Sequence, residues 1–245
     1  MLSALPGGLV GARHGVPPAR VVALHGWRRS HSDFSAVLEG LDAVAPDLPG
    51  FGAAGPPATA WGAAEYAAAA APLCQEGPPV VLVGHSFGGK VAVMLAATQP
   101  DKVAALVLTG TPLFRPSGES PPPAPLAHRL AKRLNRLGLI SDARMEQRRQ
   151  QSGSEDYRLA VGVMRDVLVR SIVEVDDGTY RRALTAITCP VELVWGATDT
   201  AARPAVAEEA ARLLPEANLV VLPGVGHMTP TEAPVALRAA IERHR

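Results

Sequence analysis

Short apolar runs alternate with longer helical patterns in the first half of the chain and again near its end. Two β-branched runs, Val21–Leu24 and Val80–Val83, are bounded by proline and glycine, which is typical of buried central strands. Three later runs are also strand-like: Val103–Thr109, Val191–Trp195 and Leu219–Leu222. The alternation indicates βαβ units that build a mainly parallel sheet, and therefore an α/β fold.

Five other segments carry a helical pattern. In the first, apolar residues recur at spacings of three and four behind a capping aspartate, Asp33, as one buried helix face requires. Two of the later segments open with proline, whose missing N–H is harmless at the first helical position. The predicted helices are Asp33–Leu41, Ala60–Leu73, Gly88–Ala97, Pro204–Leu214 and Pro234–Arg243.

The segment from Leu113 to Leu184 breaks the alternation. It contains no strand-like run of comparable quality; a proline cluster at 121–125 leads instead into arginine-rich helical patterns. The segment holds 13 basic and 9 acidic residues, a formal charge of +4, whereas the rest of the chain carries −3. We therefore expect a helical lid at 113–184, inserted into a core formed by residues 1–112 and 185–245.

The composition excludes several other classes of protein. The chain has 245 residues, of which 47% are hydrophobic and 19% charged, so it can bury a sizeable core and is not expected to be disordered. A net charge of +1 gives no electrostatic reason to expect a nucleic acid or an anionic membrane as partner. We find no signal-peptide pattern and no apolar run long enough to span a membrane, which predicts a soluble, cytoplasmic protein. Cys74 and Cys189 follow no metal-ligand spacing and are interpreted as buried thiols rather than a disulfide.

The pentapeptide Gly84–Gly88 fits the pattern G-x-S-x-G, a motif that carries little weight without its context. Here it directly follows the predicted strand Val80–Val83 and directly precedes a predicted helix. A serine in such a strand, turn and helix setting is lifted to the carboxyl end of the sheet, and the glycines avoid collisions across the tight turn. This context favours Ser86 as a nucleophile over a serine in an ordinary turn.

A serine hydroxyl needs a base, and the base needs a third group to orient it. His227 lies in a loop rich in glycine and proline after the last predicted strand, and Asp199 lies in the loop after the preceding strand. Both loops leave the same edge of the sheet as Ser86. The alternative for Asp199 is a helix cap, a role that Thr200 can also fill.

Five motifs in this order make the chain resemble the α/β-hydrolase family across nearly its whole length. They are the oxyanion loop Leu24–Trp27, the D-x-P-G-x-G turn Asp47–Gly52, the elbow Gly84–Gly88, the acid loop around Asp199 and the G-x-G-H loop ending at His227. The resemblance implies a mainly parallel sheet flanked by helices. It also implies that the backbone N–H groups of Trp27 and Phe87 form the oxyanion hole, and that neither a metal nor an organic cofactor is needed.

Two regions depart from the family pattern. Residues 2–15 are short and glycine-rich, so we expect the first strand pair to be truncated or poorly formed. Residues 113–185 match no lid that we can name, which leaves the substrate and the oligomeric state open.

Other polar residues near these motifs have plainer interpretations. His85 is interpreted as a packing residue and Asp47 as a turn-stabilising group, whereas His25 resembles the family's structural histidine that braces the oxyanion loop. Arg28 and Arg29 are interpreted as a solvated pair, with contact to a substrate carboxylate as the alternative.

The resulting hypothesis is a serine hydrolase that cleaves a carboxylic ester or thioester of a small molecule through an acyl-enzyme. The residues assigned to substrate binding are Trp27, Arg28, Phe87, Phe114 and Met228. Two alternatives stay open: a C–C bond hydrolase or lyase that uses the same triad, similar to a menaquinone-pathway synthase, and a ligand-binding receptor that retains the triad. The lyase would need arginines facing Ser86.

Overall fold

A computed structural model describes residues 2–115, 141 and 155–245. An eight-stranded sheet forms the centre of the molecule, with the strand order β1-β2-β4-β3-β5-β6-β7-β8. The first two strands run antiparallel to their neighbours, and all the others pair in parallel. The strands are β1 Leu2–Ala4, β2 Val10–His14, β3 Val21–Leu24, β4 Ala43–Asp47, β5 Val80–His85, β6 Val103–Thr109, β7 Val191–Gly196 and β8 Ala217–Leu222.

Helices cover both faces of the sheet, so the predicted α/β class and the five predicted strands are confirmed. In the described residues the α-helices are α1 Ser35–Leu38, α2 Ala63–Ala70, α3 Phe87–Thr98, α4 Glu155–Leu159, α5 Val163–Asp176, α6 Thr179–Thr185, α7 Pro204–Leu213, α8 Thr229–Glu232 and α9 Pro234–Glu242. Short 3₁₀ turns occupy Pro6–Gly8, His31–Phe34, Ala71–Cys74 and Pro100–Lys102. The first two predicted helices are thus shorter than expected, because each is split between α-helical and 3₁₀ geometry.

The sheet separates two hydrophobic cores. Alternate residues of each central strand face opposite sides, so that Val22 and Leu24 of β3 join one core and Val21 and Ala23 join the other. The smaller core lies under α1 and α9, and the larger one lies under α2, α3, α6 and α7. Buried strands with side chains packed on both faces explain why their sequences read as continuous apolar runs.

The expectation of a truncated or poorly formed first strand pair is wrong. β1 pairs with β2 in regular register from Leu2 opposite Ala12 to Ala4 opposite Val10, and all five residues of β2 pair with β4. Gly11 serves the pairing, because a Cβ added to it would lie 2.2 Å from the carbonyl oxygen of Ala45. Glycine is therefore required at this position of β2, because even an alanine methyl group would collide with the β4 backbone.

Only part of the predicted lid falls within the described residues. Residues 116–140 and 142–154, which include the proline cluster, lie outside them. The described remainder of the segment contains the helices α4, α5 and most of α6, with Tyr180 and Leu184 of α6 buried in the larger core. The division of the chain into a core and a lid stays a prediction.

The two cysteines are not joined by a disulfide. Cys74 is buried and Cys189 is half-buried, and both carry free thiols. Burial raises the pKa of Cys74 to about 12, despite the opposing charge of Lys102, and also raises the pKa of Cys189. In the part of the chain that the structure describes, no helix is both long enough and apolar enough to cross a membrane.

Candidate active site

Ser86 lies at the sharp turn between β5 and α3. Its backbone has φ 52° and ψ −114°, a region that non-glycine residues rarely adopt. The turn is closed by hydrogen bonds from Ser86 N to Thr109 O (3.0 Å) and from Gly89 N to Ser86 O (3.1 Å). The flanking glycines are sterically required, since a Cβ on Gly88 would lie 2.2 Å from the carbonyl oxygen of Leu24.

Ser86, His227 and Asp199 come together at the carboxyl edge of the sheet, although 141 residues separate the serine from the histidine. His227 Nε2 lies 3.1 Å from Ser86 Oγ, and His227 Nδ1 lies 2.9 Å from Asp199 Oδ2. A carboxylate can only accept hydrogen bonds, so Nδ1 is the protonated nitrogen of a neutral His227 and Nε2 faces the serine as an acceptor.

Asp199 makes the contacts that belong to both of the roles that the sequence left as alternatives. Its Oδ1 accepts hydrogen bonds from the backbone N–H groups of Ala201 (2.9 Å) and Ala202 (2.8 Å), as a capping residue does. Its other oxygen, Oδ2, is the one that contacts His227. The side chain is fully buried, so these donors fix the direction in which Oδ2 points.

Two residues hold the loop around His227: Glu232, which the sequence analysis did not identify, and His85. Glu232 accepts hydrogen bonds from Gly226 N (2.6 Å) and Met228 N (3.2 Å), the residues on either side of His227. His85 lies beneath, with Nε2 2.9 Å from the carbonyl oxygen of His227. Burial, aided by the nearby His227, lowers the pKa of His85 to about 4, so the ring is neutral at pH 7 and donates to that carbonyl. A carboxylate five residues after the predicted base was the available signal for Glu232.

The loop that follows β3 brings Trp27 to the same place. Gly26 lies against the site so closely that a Cβ there would be 2.9 Å from His85 Nδ1 and 3.3 Å from Ser86 Cβ. His25 braces this loop: its Nε2 accepts from Leu48 N (3.0 Å) and its Nδ1 donates to Gly26 O (2.8 Å).

Phe87 is the first residue of α3, and its N–H has no partner within the helix. The positive end of the α3 dipole also lies at this point. The two residues expected to supply oxyanion donors, Trp27 and Phe87, thus flank Ser86, and their rings are in edge contact with centroids 5.5 Å apart.

Asp47 supports a turn outside this cluster. Oδ1 accepts from His31 N (2.7 Å) and lies 2.8 Å from His31 Nδ1, while Oδ2 accepts from Ala53 N (2.8 Å). Burial by itself would raise the pKa of Asp47, but these hydrogen bonds outweigh it and the pKa is lowered. The carboxylate is fully engaged in holding the turn.

A cavity of about 330 Å³ opens at Ser86. Three of the five residues predicted to bind substrate line it: Trp27, Phe87 and Met228. Phe114 lines a neighbouring cavity of about 280 Å³, and Arg28 lines a third of similar size beside Phe51.

The cations near the cavity differ in their environment. Arg29 lines the cavity but is paired with Asp33, at 2.8 Å from Nε and 2.5 Å from Nη2. Arg28 turns away in a left-handed conformation (φ 55°) and reaches Asp156 of α4 at 3.4 Å. A third cation, Lys90, also lines the cavity, and no sequence pattern singled it out.

We find no metal site in residues 2–115, 141 and 155–245: no group of three or more histidine, cysteine, aspartate or glutamate side chains is arranged to hold an ion.

The chain is similar to known proteins in both sequence and fold. A sequence model described as "Alpha/beta hydrolase family" matches residues 21–240. A pimeloyl-[acyl-carrier protein] methyl ester esterase of Aromatoleum aromaticum is 36% identical over 236 residues, covering 84% of this chain and 90% of that protein.

Two further relatives agree with this match. Lipase LipV of Mycobacterium tuberculosis is 47% identical over 100 residues, which span 37% of this chain and 36% of the lipase. The structure of a malate-bound thermophilic esterase from Thermogutta terrifontis superposes with a TM-score of 0.66 at 26% identity, covering 99% of this chain and 95% of the esterase. The chain therefore belongs to the alpha/beta hydrolase family and is a hydrolytic enzyme.

Proposed function

We propose that the protein hydrolyses carboxylic esters or thioesters of small molecules through Ser86, His227 and Asp199. The observation that carries this proposal is the continuous chain of contacts from Asp199 Oδ2 to His227 Nδ1 (2.9 Å) and from His227 Nε2 to Ser86 Oγ (3.1 Å), at the mouth of a cavity. In this arrangement the serine hydroxyl faces the imidazole nitrogen that can accept its proton.

In the first half-reaction Ser86 Oγ attacks the substrate carbonyl carbon while His227 Nε2 takes the hydroxyl proton. Asp199 keeps Nδ1 protonated and stabilises the imidazolium that forms. The carbonyl oxygen becomes an oxyanion, which the backbone N–H groups of Trp27 and Phe87 stabilise. Such a donor contributes about 3 kcal/mol of transition-state stabilisation.

Collapse of the tetrahedral intermediate breaks the bond to the leaving alcohol or thiol, which takes the proton from His227. The acyl group stays on Ser86 Oγ. In the second half-reaction His227 removes a proton from water, the water oxygen attacks the acyl carbon, and Ser86 leaves with the proton returned by His227. The products are a carboxylic acid and the alcohol or thiol.

The names of the relatives support an ester as the scissile group. The protein of Aromatoleum aromaticum is a methyl ester esterase and matches over 84% of this chain, and the shorter match is to a lipase. A small-molecule ester is therefore the proposed substrate class. The lyase alternative needs arginines that face Ser86, but the one arginine in the described cavity lining, Arg29, is already bound to Asp33.

The direct test combines turnover with labelling by a fluorophosphonate, which reacts with an activated serine. The wild-type protein is expected to hydrolyse short p-nitrophenyl esters and to bind one equivalent of probe at Ser86. Ser86→Ala is expected to lose both properties. Ser35→Ala removes an exposed serine at the start of α1 and serves as the matched control.

Retention of most esterase activity by Ser86→Ala would rule out the mechanism. If the wild-type protein binds probe and ligands tightly without turnover, the receptor alternative is correct instead.

A further inference from the structure

Lys90 is a buried cation in the wall of the active-site cavity. It lies on α3 one helical turn after Ser86, and only 5% of it is exposed. Its Nζ donates to the backbone oxygen of Ser171 (3.0 Å) and to Ser171 Oγ (2.9 Å), and it lies 5.6 Å from the centre of the Tyr180 ring. An ammonium group has three N–H donors, so one is left without a hydrogen-bond acceptor among the described residues.

The charge of Lys90 is also unpaired within the described chain, where it forms no salt bridge. The acidic residue whose charge acts on it is Glu174. That carboxylate is committed elsewhere: it accepts from Ala63 N (3.1 Å) and the Tyr180 hydroxyl (2.8 Å), and it pairs with Arg170 at 3.5 Å. A buried charge that lacks an opposite charge is unfavourable, and a bound anion would relieve that cost.

Lys90 keeps its charge at neutral pH despite burial. Burial lowers its pKa to about 8, and the charge of Glu174 opposes that shift. At pH 7 the amine is therefore predominantly protonated and can attract an anion.

Lys90 also lies where two cavities meet. It lines the cavity at Ser86 and the neighbouring cavity of about 280 Å³. The described lining of the second cavity includes Arg115 and Arg203 and no acidic residue. Arg115 is paired with Asp176 at 2.7 Å, so Lys90 is the cation available to meet a bound anion where the two cavities join.

We propose that Lys90 binds a carboxylate on the acyl portion of the substrate, so that the enzyme prefers half-esters of dicarboxylic acids. This inference rests on the ester hydrolysis proposed above. The acyl portion is the relevant one because the leaving alcohol takes its proton from His227, whereas the acyl group stays bonded to Ser86, at the start of the helix that carries Lys90. A free carboxylate at the far end of the chain would then accept the remaining Nζ donor.

A purely structural role for Lys90 is the competing explanation, because its contacts with Ser171 tie α3 to α5. The two roles differ in what they change. A structural tie affects every substrate alike, whereas an anion site changes the preference between a charged substrate and a neutral substrate of the same shape.

The experiment compares two methyl esters of the same length. Monomethyl adipate ends in a carboxylate, whereas methyl adipamate ends in a neutral carboxamide. Methanol release is measured with a coupled alcohol oxidase, and the quantity followed is the ratio of kcat/KM for the two esters. We expect the wild-type ratio to favour the half-ester by about tenfold or more, and Lys90→Met to lower that ratio by about tenfold or more. Lys90→Arg should retain a clear preference. Lys102→Met removes a lysine outside the described cavity linings and should keep the wild-type ratio.

Binding gives a second readout that needs no turnover and no folded Lys90→Met protein. Adipate should raise the Tm of Ser86→Ala, and adipamide, its neutral diamide analogue, should not. A wild-type ratio near one, an equal loss for both esters in Lys90→Met, or no stabilisation by adipate would each overturn the inference. Failure of the proposed function gives a different result, because Ser86→Ala would then retain most of the esterase activity.

Discussion

Glu232 holds the loop that carries His227, because its two carboxylate oxygens accept the backbone N–H groups of the residues on either side of that histidine. The imidazole is thus positioned from three sides: by Asp199 at its Nδ1, by Glu232 through the flanking backbone, and by His85 at its own carbonyl oxygen. The proposed role of His227 as general base needs such restraint, since small misplacements of the reacting groups lower the rate.

Replacing Glu232 with alanine should lower kcat while leaving KM nearly unchanged. The backbone donors of Gly226 and Met228 would turn to water, and His227 would sample positions outside reach of Ser86 Oγ. We expect kcat to fall about tenfold, which is less than the roughly 10²–10⁴-fold contributed by a positioned acid–base group itself, because Glu232 acts only through the backbone around His227. Steady-state kinetics on a p-nitrophenyl ester measures this effect.

The control is Glu242→Ala, which removes an exposed carboxylate that pairs with Arg238 on α9. If kcat is unchanged in Glu232→Ala, or if both variants lose activity alike, the positioning role is wrong.

Asp199→Asn should nearly abolish activity with little loss of stability. The amide oxygen can still accept from Ala201 N and Ala202 N, so the amide nitrogen would face His227 Nδ1 and donate to it. The imidazole would then carry its proton on Nε2 and could not accept the proton of Ser86. We expect kcat/KM to drop by about 10⁴-fold and the Tm to change little.

Asp101→Asn is the matched control for this substitution, because Asp101 is exposed in the turn before β6. A large fall in Tm for Asp199→Asn would indicate that its capping contacts matter more than its contact with His227.

Gly88→Ala should prevent the chain from folding. Its Cβ would lie 2.2 Å from Leu24 O and 2.5 Å from His25 O, and these backbone atoms cannot yield without moving β3. We expect insoluble protein, or unfolding at a much lower urea concentration than for the wild type. Gly55→Ala is the control, since no atom lies within 4 Å of the position that its methyl group would take; equal urea midpoints for the two variants would refute the steric argument.

Glu192 should make the stability of the protein depend on pH in the acidic range. Burial would raise its pKa, but hydrogen bonds from Arg243, Asn218 and His244 outweigh burial and lower the pKa to about 2 from an ordinary value of 4.5. A carboxylate with a lowered pKa stabilises the folded state above the unfolded pKa, and this contribution is lost as the pH falls from 4.5 towards 2.

Glu192→Gln should therefore lower the free energy of unfolding at pH 7 by up to about 3 kcal/mol. The difference from the wild type should shrink below pH 4.5 and disappear near pH 2. Urea titrations at several pH values measure it, with the exposed Glu208→Gln as control. A difference that stays constant across this pH range would contradict the assignment.

The parallel part of the fold could be predicted because its signals are local. Runs such as Val103–Thr109 are buried on both faces, so each strand can be predicted from its own apolar sequence without knowledge of the strands beside it. The antiparallel end was missed for the opposite reason. β4 contains Pro46, which lacks the N–H that a central strand needs, and it pairs there with Gly11 of β2. Proline and glycine both disfavour a strand in sequence-based prediction, so these two segments are recognised as strands only once their pairing is known.

In the candidate site, too, some residues could be predicted from local sequence and others could not. Ser86, Asp199 and His227 follow directly after predicted strands, and parallel strands bring such loops to one edge of a sheet. Lys90 has no comparable signal. Its position on the first turn of α3 is visible in the sequence, but its environment is created by Ser171 of α5 and Tyr180 of α6, some eighty residues further on. Contacts made across such distances depend on tertiary packing, which local patterns do not encode.

The order of the strands also determines when the protein becomes active. The proposed nucleophile, Ser86, follows β5, whereas the proposed acid, Asp199, and the proposed base, His227, follow β7 and β8. In that mechanism a nascent chain has no activity until β7 has paired with β6 and β8 has paired with β7. During refolding in vitro, recovered turnover would report the completion of the sheet, and would lag behind the circular-dichroism signal of helices that form from local sequence.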